Sequence, residues 1–173
     1  MKEANAVAFF PGGFGTCDEA FEALTLMQTG KSPIVPVVLL DVGSAPYWRA
    51  WESFVRDTLV AQRLIDANDT SLFRVVASAG EAVAEILQFY RVFHSLRIVG
   101  DNIVFRLRHP LSDVSLGELQ QRFDDILKGR ADQAAGPLPQ ENGTYPELPR
   151  LILPFHRSSY GRLRQLIDFV NTQ

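Results

Sequence analysis

Ten residues into the chain an apolar run, Ala6-Val7-Ala8-Phe9-Phe10, meets Pro11-Gly12-Gly13-Phe14-Gly15-Thr16-Cys17-Asp18-Glu19. A short continuous apolar run suits a strand buried on both faces of a parallel sheet. Pro11 ends it, because proline has no N–H to give to a ladder. Gly12, Gly13 and Gly15 admit positive φ and keep side chains away from a ligand. Thr16 is a favoured N-cap, and Ala20, Phe21, Ala23, Leu24 and Met27 recur at helical spacing over Asp18 to Met27. Strand, glycine turn and helix in succession aim free N–H groups and the positive end of a helix dipole at one point, a cradle for phosphate. The run has neither the GxGxxG fingerprint nor the Gly-Lys-Ser/Thr of a P-loop. Three glycines within positions 12–15 nevertheless exceed what a tight turn needs.

The same alternation of strand and helix recurs further along the chain. Ile34 to Asp41 reads as a second buried strand, with Pro36 placing it near an edge or marking a strand start. After a turn at Gly43-Ser44-Ala45-Pro46, Tyr47 to Gln62 is an amphipathic helix with Trp48, Trp51, Phe54, Val55, Leu59 and Val60 on its apolar side. Phe73 to Ala77 is a third strand, and Gly80 to His94 a helix with Val83, Ile86, Leu87, Tyr90 and Phe93 at helical spacing. Strands and helices in alternation predict an α/β fold, a Rossmann-like parallel sheet with right-handed crossovers, flanked by helices. Ligands of such sheets sit at the carboxyl ends of the strands, where the glycine run lies.

Past residue 94 the pattern changes. Leu96 to Arg108 alternates around Gly100-Asp101-Asn102 as a hairpin or one bent strand. Leu116 to Leu127 is a short helix, Gly129 to Pro149 a linker or long loop rich in Gly, Pro, Ala and Gln, Arg150 to Phe155 strand-like, and Ser158 to Val170 a closing helix. The expected organisation is residues 1–94 as the Rossmann-like part and 95–173 as a small α/β appendage containing the linker at 129–149.

Composition excludes several classes. With 173 residues and 46% hydrophobic content the chain can bury a core. A net charge of −3 argues against nucleic-acid or anionic-membrane binding. One cysteine rules out an internal disulfide and fits a cytoplasmic location. No signal peptide is expected, and no apolar run reaches membrane-spanning length. His94, His109 and His156 lack metal-ligand spacing, so no metal is expected. Cys17 has no histidine near it in sequence and reads as a space-filling side chain. Arg106, Arg108, His109, Arg157, Arg162 and Arg164 would form an anion patch if their elements adjoined, against a default of solvated charges.

Glu19 has two readings. Thr16 and Glu19 have the spacing of a capping box, in which the carboxylate only bonds back to the cap N–H. Alternatively, a carboxylate beside a phosphate-binding loop lies where a bound sugar would sit. Spacing alone favours the cap.

Pro11-Gly12-Gly13-Phe14-Gly15-Thr16-Cys17-Asp18-Glu19 resembles the PGGxGTxxE motif of the LOG family, the cytokinin riboside 5′-monophosphate phosphoribohydrolases, which also carry the label "possible lysine decarboxylase". The similarity continues through Ala20 to Lys31, into Ile34 to Asp41, and more loosely to about Tyr90. The resemblance implies a hydrolase that cleaves the N-glycosidic bond of a nucleoside 5′-monophosphate, AMP-like or cytokinin-like, without a cofactor and as a homodimer. It assigns Gly12, Gly13, Gly15 and Thr16 to the phosphoribose and Glu19 to catalysis. Cleavage builds oxocarbenium character on the sugar, which a nearby carboxylate stabilises while water attacks. Family members also carry an N-terminal half with further strands and a catalytic arginine upstream of the motif. Here Met1-Lys2-Glu3-Ala4-Asn5 precede the strand and contain no arginine, so the sheet is expected to be partial, and the chain is expected to be a fragment or shortened product, or to have its site completed by another polypeptide, or to be inactive. The alternative is a non-catalytic nucleotide- or cofactor-binding module, resembling a molybdenum-cofactor carrier, or a remnant. Pyridoxal-phosphate chemistry needs a buried lysine. Lys2, Lys31 and Lys128 sit near the start, after a helix and beside the linker, so decarboxylation is rejected.

Overall fold

The computed structural model describes residues 4–43 and 46–173. Lys2 and the middle of the Gly43–Pro46 turn lie outside them. The chain forms two compact units, Met1–Leu87 with Ser159–Arg164, and Gln88–Ser158 with Gln165–Gln173.

The first unit is built on β1 (Val7–Phe9), β2 (Val37–Leu40) and β3 (Arg74–Val76). They pair in parallel in the order β1-β2-β3, with Val7 opposite Val37 and Val38 opposite Arg74. All four residues of β2 are buried, as a central parallel strand requires. Strand alternation then divides its side chains between two layers. On one face, Phe9 meets Trp48 of α2 (Tyr47–Phe54) at 6.2 Å between ring centroids. Trp51 meets Phe21 of α1 (Phe14–Gln28) at 5.0 Å and Phe73 at 5.3 Å. On the other, Val38, Leu40 and Val76 pack with Ala82 and Ile86 of α3 (Ala79–Phe89). The α/β class and the parallel, helix-flanked sheet are thus as the alternation predicts.

Element ends differ, for identifiable reasons. β2 starts at Val37 because Pro36 has no N–H for the ladder, although its carbonyl accepts the Val7 N–H at 3.0 Å. The helix from Tyr47 is α-helical only to Phe54 and continues as a π-helical segment, Val55–Val60. Helix α3 stops at Phe89, not at His94. There the side chain of Asn171, 1% exposed, captures the chain: its Oδ1 accepts from the N–H groups of Val92 (2.8 Å) and Phe93 (2.9 Å), and its Nδ2 donates to the Phe89 carbonyl (2.5 Å). Asn171→Ala would remove three hydrogen bonds to the backbone of Phe89, Val92 and Phe93. A loss of about 2 to 3 kcal/mol is expected by chemical denaturation.

The second unit holds an antiparallel sheet of β4 (Phe93–Val99), β5 (Asn102–Leu107), β6 (Asp132–Ala134) and β7 (Arg150–Leu153), in the order β4-β5-β7-β6. The hairpin turns at Gly100 and Asp101, where Gly100 takes φ +59°. Helix α4 runs Asp113–Arg122, starting three residues before the expected Leu116 because Ser112 Oγ accepts the Ser115 N–H at 3.0 Å. The closing helix α5 is Tyr160–Val170.

The 129–149 stretch is not a free linker. β6 falls within it and pairs with β7, and a 3-10 turn at Pro139–Glu141 buries Glu141 completely. Glu141 Oε1 accepts from Arg106 Nη2 at 2.9 Å and its Oε2 from Arg150 Nε at 2.7 Å. Arg150, also fully buried, donates further to the carbonyls of Thr144, Tyr145 and Leu148. Four of the arginines that would have made an anion patch are engaged within the protein instead. Arg106 is occupied by Glu141, Arg164 by Glu85 at 2.5 Å, and Arg108 and Arg157 by the carbonyls of Tyr90 and Gly100.

Candidate functional site

Gly12, Gly13, Gly15, Thr16 and Glu19 all lie on the segment that leaves the carboxyl end of β1 and enters α1. The helix begins at Phe14, with Gly13 in extended backbone as its cap residue and no side-chain cap. Thr16 is therefore the third helical residue and not the N-cap; its N–H already donates to the Gly13 carbonyl at 3.1 Å. Because the helix starts four residues before the expected Asp18, the capping box is not formed. Glu19 sits in the second turn, exposed, and among the described residues its carboxylate has no hydrogen-bond or ion-pair partner. The local structural reason for a glutamate here is thus absent.

The glycines also act differently from expectation. None in the run adopts positive φ; that conformation occurs at Gly30, Gly43, Gly100 and Gly143. Gly12 is required by close approach, since a Cβ there would collide with the Thr16 side chain, 2.8 Å from its Cβ. At Gly13 and Gly15 a Cβ would meet nothing within 4 Å. These two leave open space in front of the helix start, where the N–H groups of Phe14 and Gly15 have no earlier helical turn to bond to. Phe14 is 98% exposed, so it contributes nothing to the core.

Sequence reasoning missed Tyr47. As the first residue of α2 it donates its hydroxyl proton to the Gly12 carbonyl at 2.8 Å, and its oxygen lies 3.1 Å from Cys17 Sγ. With the one phenol proton committed to Gly12, the Cys17 thiol is the donor to Tyr47. Cys17 therefore ties α1 to α2 as well as filling space. The bond with Cys17, and then partial burial, push the Tyr47 phenol above its ordinary value, so it stays protonated across neutral pH. A signal for Tyr47 existed in principle: in a parallel sheet the loops after β1 and β2 emerge at the same end. Tyr47→Phe should cost about 1 kcal/mol and speed amide exchange in Gly12–Thr16, read by denaturation and hydrogen exchange.

Asp41, at the carboxyl end of β2, is 7% exposed and committed to structure. Its carboxylate accepts from the N–H groups of Trp48 (2.7 Å) and Arg49 (3.0 Å), capping α2. No group of metal-binding side chains occurs among the described residues. His94 rests on the Tyr145 ring at 4.9 Å, where burial and then the charges of Arg108 and Arg106 hold its imidazole below the ordinary value. Lys31 and Lys128 are exposed, so neither is the desolvated amine that Schiff-base chemistry uses.

Residues 1–86 of the chain match the family model described as "Possible lysine decarboxylase", the other label of the LOG family. Residues 1–86, just under half of the chain, match the LOG family. The match spans the glycine run, α1 and all three parallel strands, and ends within α3. No curated protein matches the sequence. No helix among the described residues is long and apolar enough to cross a membrane.

Proposed function

We propose that the glycine run and Glu19 form the phosphoribose half of a nucleoside 5′-monophosphate phosphoribohydrolase site. The observation that carries this reading is the freedom of Glu19: no cap, hydrogen bond or ion pair among the described residues occupies its carboxylate. The phosphate would lie against the open space at Gly13 and Gly15, held by N–H groups at the start of α1. Thr16 adds its hydroxyl and Tyr47 fixes the loop through Gly12. In the reaction the C1′–N bond breaks, its electron pair leaves with the base, and water forms the new C1′–O bond. The water proton released goes on balance to the base, and ribose 5-phosphate is the second product. Glu19 stabilises the cationic sugar between these events. The active form is a homodimer in this reading, checked by sedimentation.

A second reading, a binding module without catalysis, is favoured by one observation. Among the described residues no cation pairs with Glu19. Incubation with AMP separates the two readings. Equimolar adenine and ribose 5-phosphate support the hydrolase; AMP that binds and is recovered intact supports the module.

A further inference from the structure

The peptide between Gly12 and Gly13 is held from outside the glycine run. In a trans peptide the C=O and the following N–H point in opposite directions, and no described peptide is cis. Tyr47 donates its hydroxyl to the Gly12 carbonyl at 2.8 Å, so the Gly13 N–H is turned away from α2. The next peptide is fixed as well: the Gly13 carbonyl accepts from the N–H groups of Thr16 (3.1 Å) and Cys17 (3.3 Å). The Phe14 N–H, opposite that carbonyl, therefore points out of the start of α1. Among the described residues neither the Gly13 nor the Phe14 N–H has a backbone acceptor. A Gly-Gly peptide has no Cβ on either side to resist rotation, and a Cβ on Gly13 would meet nothing within 4 Å. Turned over, this peptide would aim the Gly12 carbonyl oxygen where the Gly13 N–H now points, and that oxygen repels an anion. Tyr47 itself is firmly placed. Asp41 accepts from the N–H groups of Trp48 and Arg49 at the start of α2, and the Tyr47 ring meets the buried Trp48 ring edge-on at 4.9 Å between centroids.

We propose that Tyr47 is a positioning residue for the phosphate, a role that rests on the phosphoribose reading of the glycine run: it locks the Gly12–Gly13 peptide so that the Gly13 N–H, beside that of Phe14, faces the ligand. The phenol does not touch the phosphate. It acts by depopulating the turned-over peptide, so the free protein already stands in the form that binds, and affinity is not reduced by the share of molecules in the other form. The Cys17 thiol, 3.1 Å from the phenol oxygen, ties α1 to α2 but leaves the orientation of the peptide to the phenol proton.

The test compares the unaltered protein, Tyr47→Phe and Cys17→Ala, each titrated with ribose 5-phosphate and followed by backbone amide and carbonyl resonances. Tyr47→Phe removes the donor and keeps the ring on Trp48. It is expected to weaken binding about fivefold or more, the scale of one hydrogen bond. Before ligand is added, its Gly12 carbonyl and Gly13 amide resonances should be displaced from those of the unaltered protein. Saturating ligand should bring the Gly13 amide back to the position it has in the unaltered complex, because the ligand selects the presented peptide. Cys17→Ala keeps the bond from the phenol to Gly12 and should change the affinity by less than about twofold. An affinity that Tyr47→Phe leaves unchanged, or a Gly13 amide that it does not displace, overturns the proposal. So does an equal loss from Cys17→Ala, which would make the tie between α1 and α2 the cause. Failure of the unaltered protein to bind ribose 5-phosphate overturns the phosphoribose reading and takes this role of Tyr47 with it, whereas binding that Tyr47→Phe does not weaken overturns the role alone.

Discussion

Glu19→Ala is expected to reduce base release from AMP by about 10³-fold or more, the scale of removing a preorganised charge that acts on the transition state. The melting temperature should not fall. Glu19 is exposed, lies in the second turn of α1 and caps nothing, so no folded-state contact among the described residues is lost. Alanine is also the stronger helix former. Comparing the initial rate of adenine formation with a thermal melt of the same preparations checks both halves. A variant that melts early yet turns over normally would return Glu19 to a structural role. Glu19→Gln should be nearly as inactive, because the missing element is charge rather than size.

The second large effect lies in the other unit. Glu141→Ala would leave Arg106 and Arg150 buried without their shared carboxylate, and breaking one member of a buried ion network costs about 3 to 5 kcal/mol. Urea denaturation followed by the signals of the β4–β7 sheet measures it. The same contact sets a pH dependence. Burial pushes the Glu141 carboxyl up, but hydrogen bonds from Arg150, the Leu138 N–H and Arg106 outweigh it and the net direction is down. A carboxyl depressed in the folded state contributes stability above its unfolded value and loses it as pH falls through the folded one. This unit should therefore weaken below the ordinary glutamate range, and Glu141→Ala should flatten that acid limb.

The parallel sheet was legible because Val37 to Leu40 is an unbroken apolar run and Trp48, Trp51 and Ile86 fall on helical spacings; Val83 and Leu87, read on the same apolar face, are instead exposed. That signal is strong wherever apolar burial does the organising. It fails where polar side chains do. Asn171 ends α3 from far along the chain, and no local pattern announces it. Glu141 and Arg150 hold a segment whose glycines and prolines read as a linker, because an ion network has no periodicity. At the candidate site the motif located Gly12, Gly13, Gly15, Thr16 and Glu19. It misjudged how they are used: the helix starts at Phe14, so the Thr16–Glu19 spacing that suggests a cap instead leaves Glu19 free. Tyr47 was missed for a different reason. Its bond to Gly12 spans the β1–α1–β2 crossover and depends on where the loops after β1 and β2 emerge.

The claim that the start of α1 holds a phosphoribose is tested most directly by titrating ribose 5-phosphate into the isotopically labelled protein and following backbone amide resonances. The account predicts saturable shifts concentrated at Gly13, Phe14, Gly15 and Thr16, weakened by Gly13→Val, whose side chain would occupy the open space. Shifts spread elsewhere, or an affinity that Gly13→Val leaves unchanged, would contradict it.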